Sequence, residues 1–163
     1  MKYLFFDFEC ANCFDGIGKI CEFGYVLTDE NFNVISKDAI PMSPGRGRNN
    51  RFSLTGRKDQ RDLILAWDYD YYYDQPEFPH FYEKIKKLMC NEDTVCFGFA
   101  CDNDISYLYH TCKRYDLETF DYICYDVQKI AINYLDDSRS SLKNTYLKLV
   151  GKEHIAELQE HLS

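Results

Sequence analysis

With 163 residues, 45% of them hydrophobic and 28% charged, the chain has the make-up of one globular domain around a single core. No stretch is apolar for long enough to span a bilayer, and the acids in the opening "MKYLFFDFEC" do not suit a signal peptide, so a cytoplasmic location is expected. The formal charge of −8 excludes indiscriminate coating of nucleic acid and leaves any such contact to local patches.

The first predicted element is a strand over residues 3–8, where five of the six positions of "YLFFDF" are apolar or aromatic. Asp7 falls in this run and Glu9 follows two residues on, so in strand geometry both side chains point to one face. Two ionised carboxylates beside an apolar run repel each other and are costly to desolvate. A hard divalent cation such as Mg²⁺ or Mn²⁺ would compensate the pair; an ordinary acidic strand end is the other reading of an isolated Asp-x-Glu. "ICEFGYVL" (20–27) and "FNVISKDAI" (32–40) are the next two predicted strands, joined at the turn-forming "TDEN".

Residues 41–79 have weak periodicity. Between Pro44 and Arg61 stand Arg46, Arg48, Arg51, Arg57, Lys58 and Arg61 against a single acid, Asp59, and "AWDYDYYYDQPEF" follows. Aromatic rings beside a basic loop suit base stacking and phosphate contact. A solvated arginine loop next to a tyrosine-rich packing layer accounts for the composition equally well. Phe78, Phe81, Tyr82, Ile85, Leu88 and Met89 share one helical face, and "TVCFGF" (94–99) reads as a short buried strand.

Ile105, Leu108, Tyr109 and Cys112 mark the next helix, with Asp102 or Asn103 as N-cap. Asp104 lies in its first turn, directly after a strand, at the edge where strand ends and helix starts converge. An acid there also has the ordinary role of stabilising a helix dipole, for which Asp102 is the better candidate. "YICYD" (122–126) is the fifth strand. Val127, Ile130, Ala131 and Tyr134 begin another helix, Leu142–Val150 forms one more that ends at Gly151, and Ile155, Leu158 and Leu162 mark an amphipathic tail. Three strands, then helices alternating with two more strands, predict an α/β fold with a mixed central sheet flanked by helices.

Eight cysteines raise the question of a disulfide framework. Several fall inside apolar runs ("KICEFGYVL", "TVCFGF", "YICYD"), where a free thiol packs as a small hydrophobe, so reduced cysteines are expected. Cys10 and Cys13 form a C-x-x-C that suggests zinc or redox use, but no second C-x-x-C and no nearby C-x-x-H completes four ligands.

"FFDFEC…KICEFGYVL" followed by "GFACDNDISYL" resembles the DEDD (DnaQ-like) 3′–5′ exonucleases of the ribonuclease H-like fold. The family's Asp-x-Glu matches Asp7 and Glu9, its I-x-E-x-G-x-V strand matches Ile20, Glu22, Gly24 and Val26, and its G-x-N-D-x-x-x-L helix matches Asn103, Asp104 and Leu108. "SLKNTYLKLVG" (141–151) is similar to the helix that leads to the family's last motif, His-x-x-x-x-Asp or Tyr-x-x-x-Asp. That motif does not match: His154 is followed five residues on by Gln159, and His161 has two residues after it. The chain is therefore expected to be a single exonuclease-like domain over 1–163 lacking its C-terminal end, a histidine-type ending fitting better than a tyrosine type.

The resemblance implies two-metal hydrolysis of a terminal phosphodiester at a nucleic acid 3′ end, with two Mg²⁺ or Mn²⁺ ions about 3.5–4 Å apart. By the family's pattern Asp7 touches both ions, Glu9 one, and Asp104 helps through bound water. Basic residues of the 46–61 loop add phosphate contacts, and single strands are the expected substrate. Without the base and ligand of the last motif, weak or no activity is expected of the 163 residues alone. A catalytically impaired nucleic-acid-binding module of the same fold and a cysteine-based metal or redox protein are the competing expectations.

Overall fold

The structure, a computed structural model, describes residues 1–13, 18–45, 50, 52, 63–135 and 141–150. Strands β1 (Lys2–Ala11), β2 (Lys19–Asp29) and β3 (Val34–Pro41) follow one another as antiparallel neighbours. Strand β4 (Thr94–Gly98) pairs parallel with the other edge of β1, and β5 (Cys124–Asp126) pairs parallel with β4. The sheet order is β3–β2–β1–β4–β5, so the strand carrying Asp7 and Glu9 is central. The helices are α1 (Tyr69–Tyr73), α2 (Tyr82–Met89), α3 (Asp102–Arg114), α4 (Val127–Leu135) and α5 (Leu142–Val150). None among the described residues is long and apolar enough to cross a membrane.

The alternation of β1 divides the sheet's two faces. Leu4, Phe6, Phe8 and Cys10 are buried on one face, while Tyr3, Phe5, Asp7 and Glu9 point to the opposite, more open one. Helix α3 packs over β1 and β2 with Tyr107, Leu108 and Cys112, and α2 packs over β4 with Tyr82, Ile85 and Met89. The two parallel crossovers thus build the main core on the even-numbered face of β1. All eight cysteines are free thiols, five of them buried.

Several expectations are corrected in detail. The third strand begins at Val34, because Asp29 draws the chain into a turn by accepting the backbone N–H groups of Asn31 and Asn33, and Phe32 takes a positive φ of 64°. The weakly periodic stretch contains the short helix α1, and its rings pack mainly on one another: Phe52 stacks on Tyr69 at 4.4 Å and lies edge-on to Tyr73 at 5.5 Å. Neither Asp102 nor Asn103 is the N-cap of α3; Cys101 holds that position, with no side-chain cap bond. Ile105 and Tyr109 face outward, 38% and 50% exposed, since the buried stripe of α3 runs through Asp104, Tyr107, Leu108, Thr111 and Cys112. In α4, Ala131 is buried whereas Ile130 and Tyr134 are exposed. Gly151 and the amphipathic tail lie outside the described residues.

Candidate functional site

The site is built where β1 outlasts its parallel neighbour. Pairing between β1 and β4 stops at Phe5 and Phe97, and β4 ends one residue later at Gly98, which is paired only with Asp126 of β5. The Phe8 N–H, on the β1 edge past that point, is taken by the carboxylate of Asp104 at 2.8 Å. A backbone donor that would otherwise be buried without a partner thereby fixes an acid 96 residues away in sequence between Asp7 and Glu9.

The start of α3 is aimed by a second aspartate. Asp126, the last residue of β5, accepts the Ala100 N–H at 2.9 Å, the Cys101 N–H at 3.3 Å and the Gln128 N–H at 2.9 Å. Ala100 adopts a left-handed φ of 52°, an unfavourable choice for a residue with a Cβ, which this carboxylate holds in place. Gly98 admits the returning chain, because a Cβ there would stand 2.5 Å from that of Cys101. Asp102 is exposed and pairs with Lys129 Nζ at 3.1 Å, so in the first turn only Asp104 turns inward.

Asp7 and Glu9 open onto a groove of about 670 Å³ on the odd-numbered face, lined also by Phe5, Glu22, Gly24 and Val26, with Lys37 and Asp38 among the β3 residues beside it. Register places Gly24 directly across from Asp7 and Glu22 directly across from Glu9. Immediately beyond that acidic pair the register shifts, inserting Cys21 as a bulge in β2. Gly24 leaves the space beside Asp7 open, since among the described residues a Cβ at that position would meet only the Asp7 carbonyl oxygen, at 3.9 Å.

Four carboxylates are therefore gathered. Desolvation raises the Asp7 carboxyl above its ordinary range; a hydrogen bond with Glu9 works against the rise, and the Glu22 charge adds to it. Desolvation also raises Glu9, followed by the charges of Asp7, Glu22 and Asp104. Asp104 is pushed up to about 7 by desolvation and then by Asp7, with the Phe8 N–H working against the rise. No lysine or arginine among the described residues forms an ion pair with Asp7, Glu9 or Asp104. An all-oxygen, multiply anionic donor set, with no basic partner among the described residues, suits a hard divalent cation. The side chains are not splayed around a common point: among the described residues no three metal-ligating side chains already form a cage.

The structure thus brings Asp7, Glu9 and Asp104 together. Arg46, Arg48, Arg51, Arg57, Lys58 and Arg61, as well as His154 and His161, lie outside the described residues. Cys10 is buried in β1, and the Cys13 thiol donates to the Cys10 carbonyl oxygen at 2.8 Å. Glu22 and Asp126 were not anticipated as parts of the site. An N-cap signal marks Asp126, which stands directly before the apolar period of α4. Glu22 appears in the sequence only as a pattern residue, because the bulge hides its register.

This arrangement of strands and helices is the ribonuclease H-like fold of the DEDD 3′–5′ exonuclease domains. The nuclease domain of 3'hExo, a DEDDh family member bound to rAMP, superposes with a TM-score of 0.66 at 17% identity, over 85% of this chain and 72% of that one. Escherichia coli exonuclease I in complex with a dA16 oligonucleotide matches with a TM-score of 0.64 at 17% identity, over 82% of this chain and 30% of its own. A product-bound exonuclease I gives a TM-score of 0.65 over 82% of this chain. The chain thus spans under a third of the exonuclease I structures it resembles. No family model and no curated protein sequence matches the chain.

Proposed function

We propose that this protein is a metal-dependent 3′–5′ exonuclease that hydrolyses terminal phosphodiesters of DNA or RNA, with Asp7, Glu9 and Asp104 as its acidic machinery and Mg²⁺ or Mn²⁺ as cofactor. The observation that carries the reading is the bond from the Phe8 N–H to Asp104 at 2.8 Å, which joins the helix-borne acid to the strand-borne pair. Asp7, Glu9 and Asp104 are the residues that would hold the cations. When bound, a pair of such ions supplies a nucleophile at neutral pH and charge stabilisation for the leaving oxygen.

The chain's own contribution is placement. The central strand fixes Asp7 and Glu9 on one face, the Phe8 N–H orients Asp104, and the groove beside Gly24 is open to a strand end. Cations at this position would also attract the phosphodiester despite the overall charge of −8. The ligands of the similarly folded proteins, rAMP and oligonucleotides, support a nucleic acid 3′ end as the partner. Arg46, Arg48, Arg51, Arg57 and Lys58 are the proposed phosphate contacts of a single strand, in a domain acting in the cytoplasm.

The test is degradation of 5′-labelled single strands with Mn²⁺, comparing wild type with Asp7→Ala in the full natural reading frame. Shortening from the 3′ end by wild type alone is expected. Equal degradation by the two proteins rejects the assignment. Salt-dependent binding without degradation, indifferent to chelator and to Glu9→Ala, would make the domain a noncatalytic nucleic-acid-binding module instead.

A further inference from the structure

Tyr72 has a place that packing alone does not explain. It is fully buried, in a satellite core with Ala11, Cys21 and Phe52, its ring 6.1 Å from that of Phe52 and 5.9 Å from that of Trp67. Its hydroxyl donates to Glu22 Oε2 at 2.7 Å, the short distance of a charge-assisted bond. Phenylalanine and a neutral partner would fill the same volume without holding a carboxylate against two others. The bond engages one Glu22 oxygen, yet Glu22 lines the same groove as Asp7 and Glu9 and stands directly across the β1–β2 ladder from Glu9.

The bulge at Cys21 links these facts. Cys21 is itself a member of the satellite core that surrounds Tyr72, and it lies next to Glu22 in the chain. The irregularity that turns β2 after Glu22 is thus clamped by the same aromatic cluster that supplies the hydroxyl.

We propose that Glu22 contributes a further carboxylate to the cation site of Asp7 and Glu9, and that Tyr72 is its positioning residue, an inference that rests on the metal-dependent nuclease reading. Ligand carboxylates hold their geometry when a second group fixes one of their oxygens, and losing such a group weakens metal binding. Tyr72 is rigid enough for this: rings enclose it, and its hydroxyl is held between Glu22 and the backbone of Trp67.

The experiment is Mn²⁺ titration followed by electron paramagnetic resonance of the free ion, with no nucleic acid present. The proteins are wild type, Glu22→Gln, Tyr72→Phe and Asp7→Asn, each also melted in chelator. Tyr72→Phe, which removes one oxygen and keeps the ring, is expected to weaken Mn²⁺ binding about tenfold, and Glu22→Gln at least as much. Melting of Glu22→Gln in chelator should be unchanged or higher, because a like charge is gone. A purely structural bond would show the reverse pattern, with lower melting in chelator and unchanged affinity.

If Asp7→Asn loses Mn²⁺ while Glu22→Gln and Tyr72→Phe bind as wild type does, the inference is overturned and the nuclease reading stands. If wild type and Asp7→Asn bind alike, or neither binds, the cation reading fails and this inference with it. Should Tyr72→Phe fail to fold, Glu22→Gln decides alone.

Discussion

At the scale of single residues, Asp104 has two separable roles. As a hydrogen-bond acceptor it satisfies the buried Phe8 N–H, and as a charge it adds to the acidic site. Asn keeps an acceptor oxygen, whereas Ala keeps neither property. Asp104→Asn is therefore expected to lose nuclease activity while unfolding in urea at least as late as wild type at pH 8 in chelator. Asp104→Ala should lose activity too, and in addition be about 1–3 kcal/mol less stable than Asp104→Asn, the cost of leaving a buried donor unmade. Equal urea midpoints for the two variants would mean that the Phe8 N–H finds another partner and that Asp104 is held in place by other means.

At the scale of elements, the junction of β4, α3 and β5 sets where Asp104 points. Asp126 gathers three backbone N–H groups from two segments, including that of the left-handed Ala100. Asp126→Ala is expected to cost about 1–3 kcal/mol in urea unfolding and to lower activity although Asp126 is not among the proposed cation ligands. A variant as stable and as active as wild type would show that the junction holds without this carboxylate. The same junction explains what the sequence did and did not make legible. Strand periodicity gave the Asp7–Glu9 face, and the helix start gave Asp104, because both follow from local backbone geometry. The rotation of α3 differs from what apolar spacing alone predicts: that spacing turns Ile105 and Tyr109 inward, but the Phe8 N–H draws Asp104 inward instead. Glu22 escaped because cross-strand pairing is nonlocal and a bulge breaks the register beside it. α1 escaped because its rings follow the needs of a small aromatic cluster around Phe52 rather than a helical period.

At the scale of the whole molecule, the gathered carboxylates make stability depend on pH in a definite direction. Asp104 moves from an ordinary 3.8 to about 7, and Glu9 from 4.5 to about 8, so the folded protein binds protons more tightly than the unfolded chain does. For acids raised in this way the stabilising contribution is fully present below the unfolded values, near pH 4, and is lost as pH rises through the folded ones, near pH 7 and pH 8. The metal-free protein should therefore melt at progressively lower temperature across this window. Saturating Mn²⁺ binds the ionised form in the proton's place, so its stabilisation should grow with pH and flatten the curve. The doubly substituted Glu9→Gln, Asp104→Asn protein should lose most of the slope in chelator, keeping the part due to Asp7 and the surface acids, and should lose the response to Mn²⁺. Melting temperatures measured in chelator and in Mn²⁺ for the two proteins separate this from the general titration of surface acids, which the substitutions leave intact. A wild-type melting temperature in chelator that stays level between about pH 5 and pH 8 would mean that the carboxylates are hydrated in the groove and do not strain the fold.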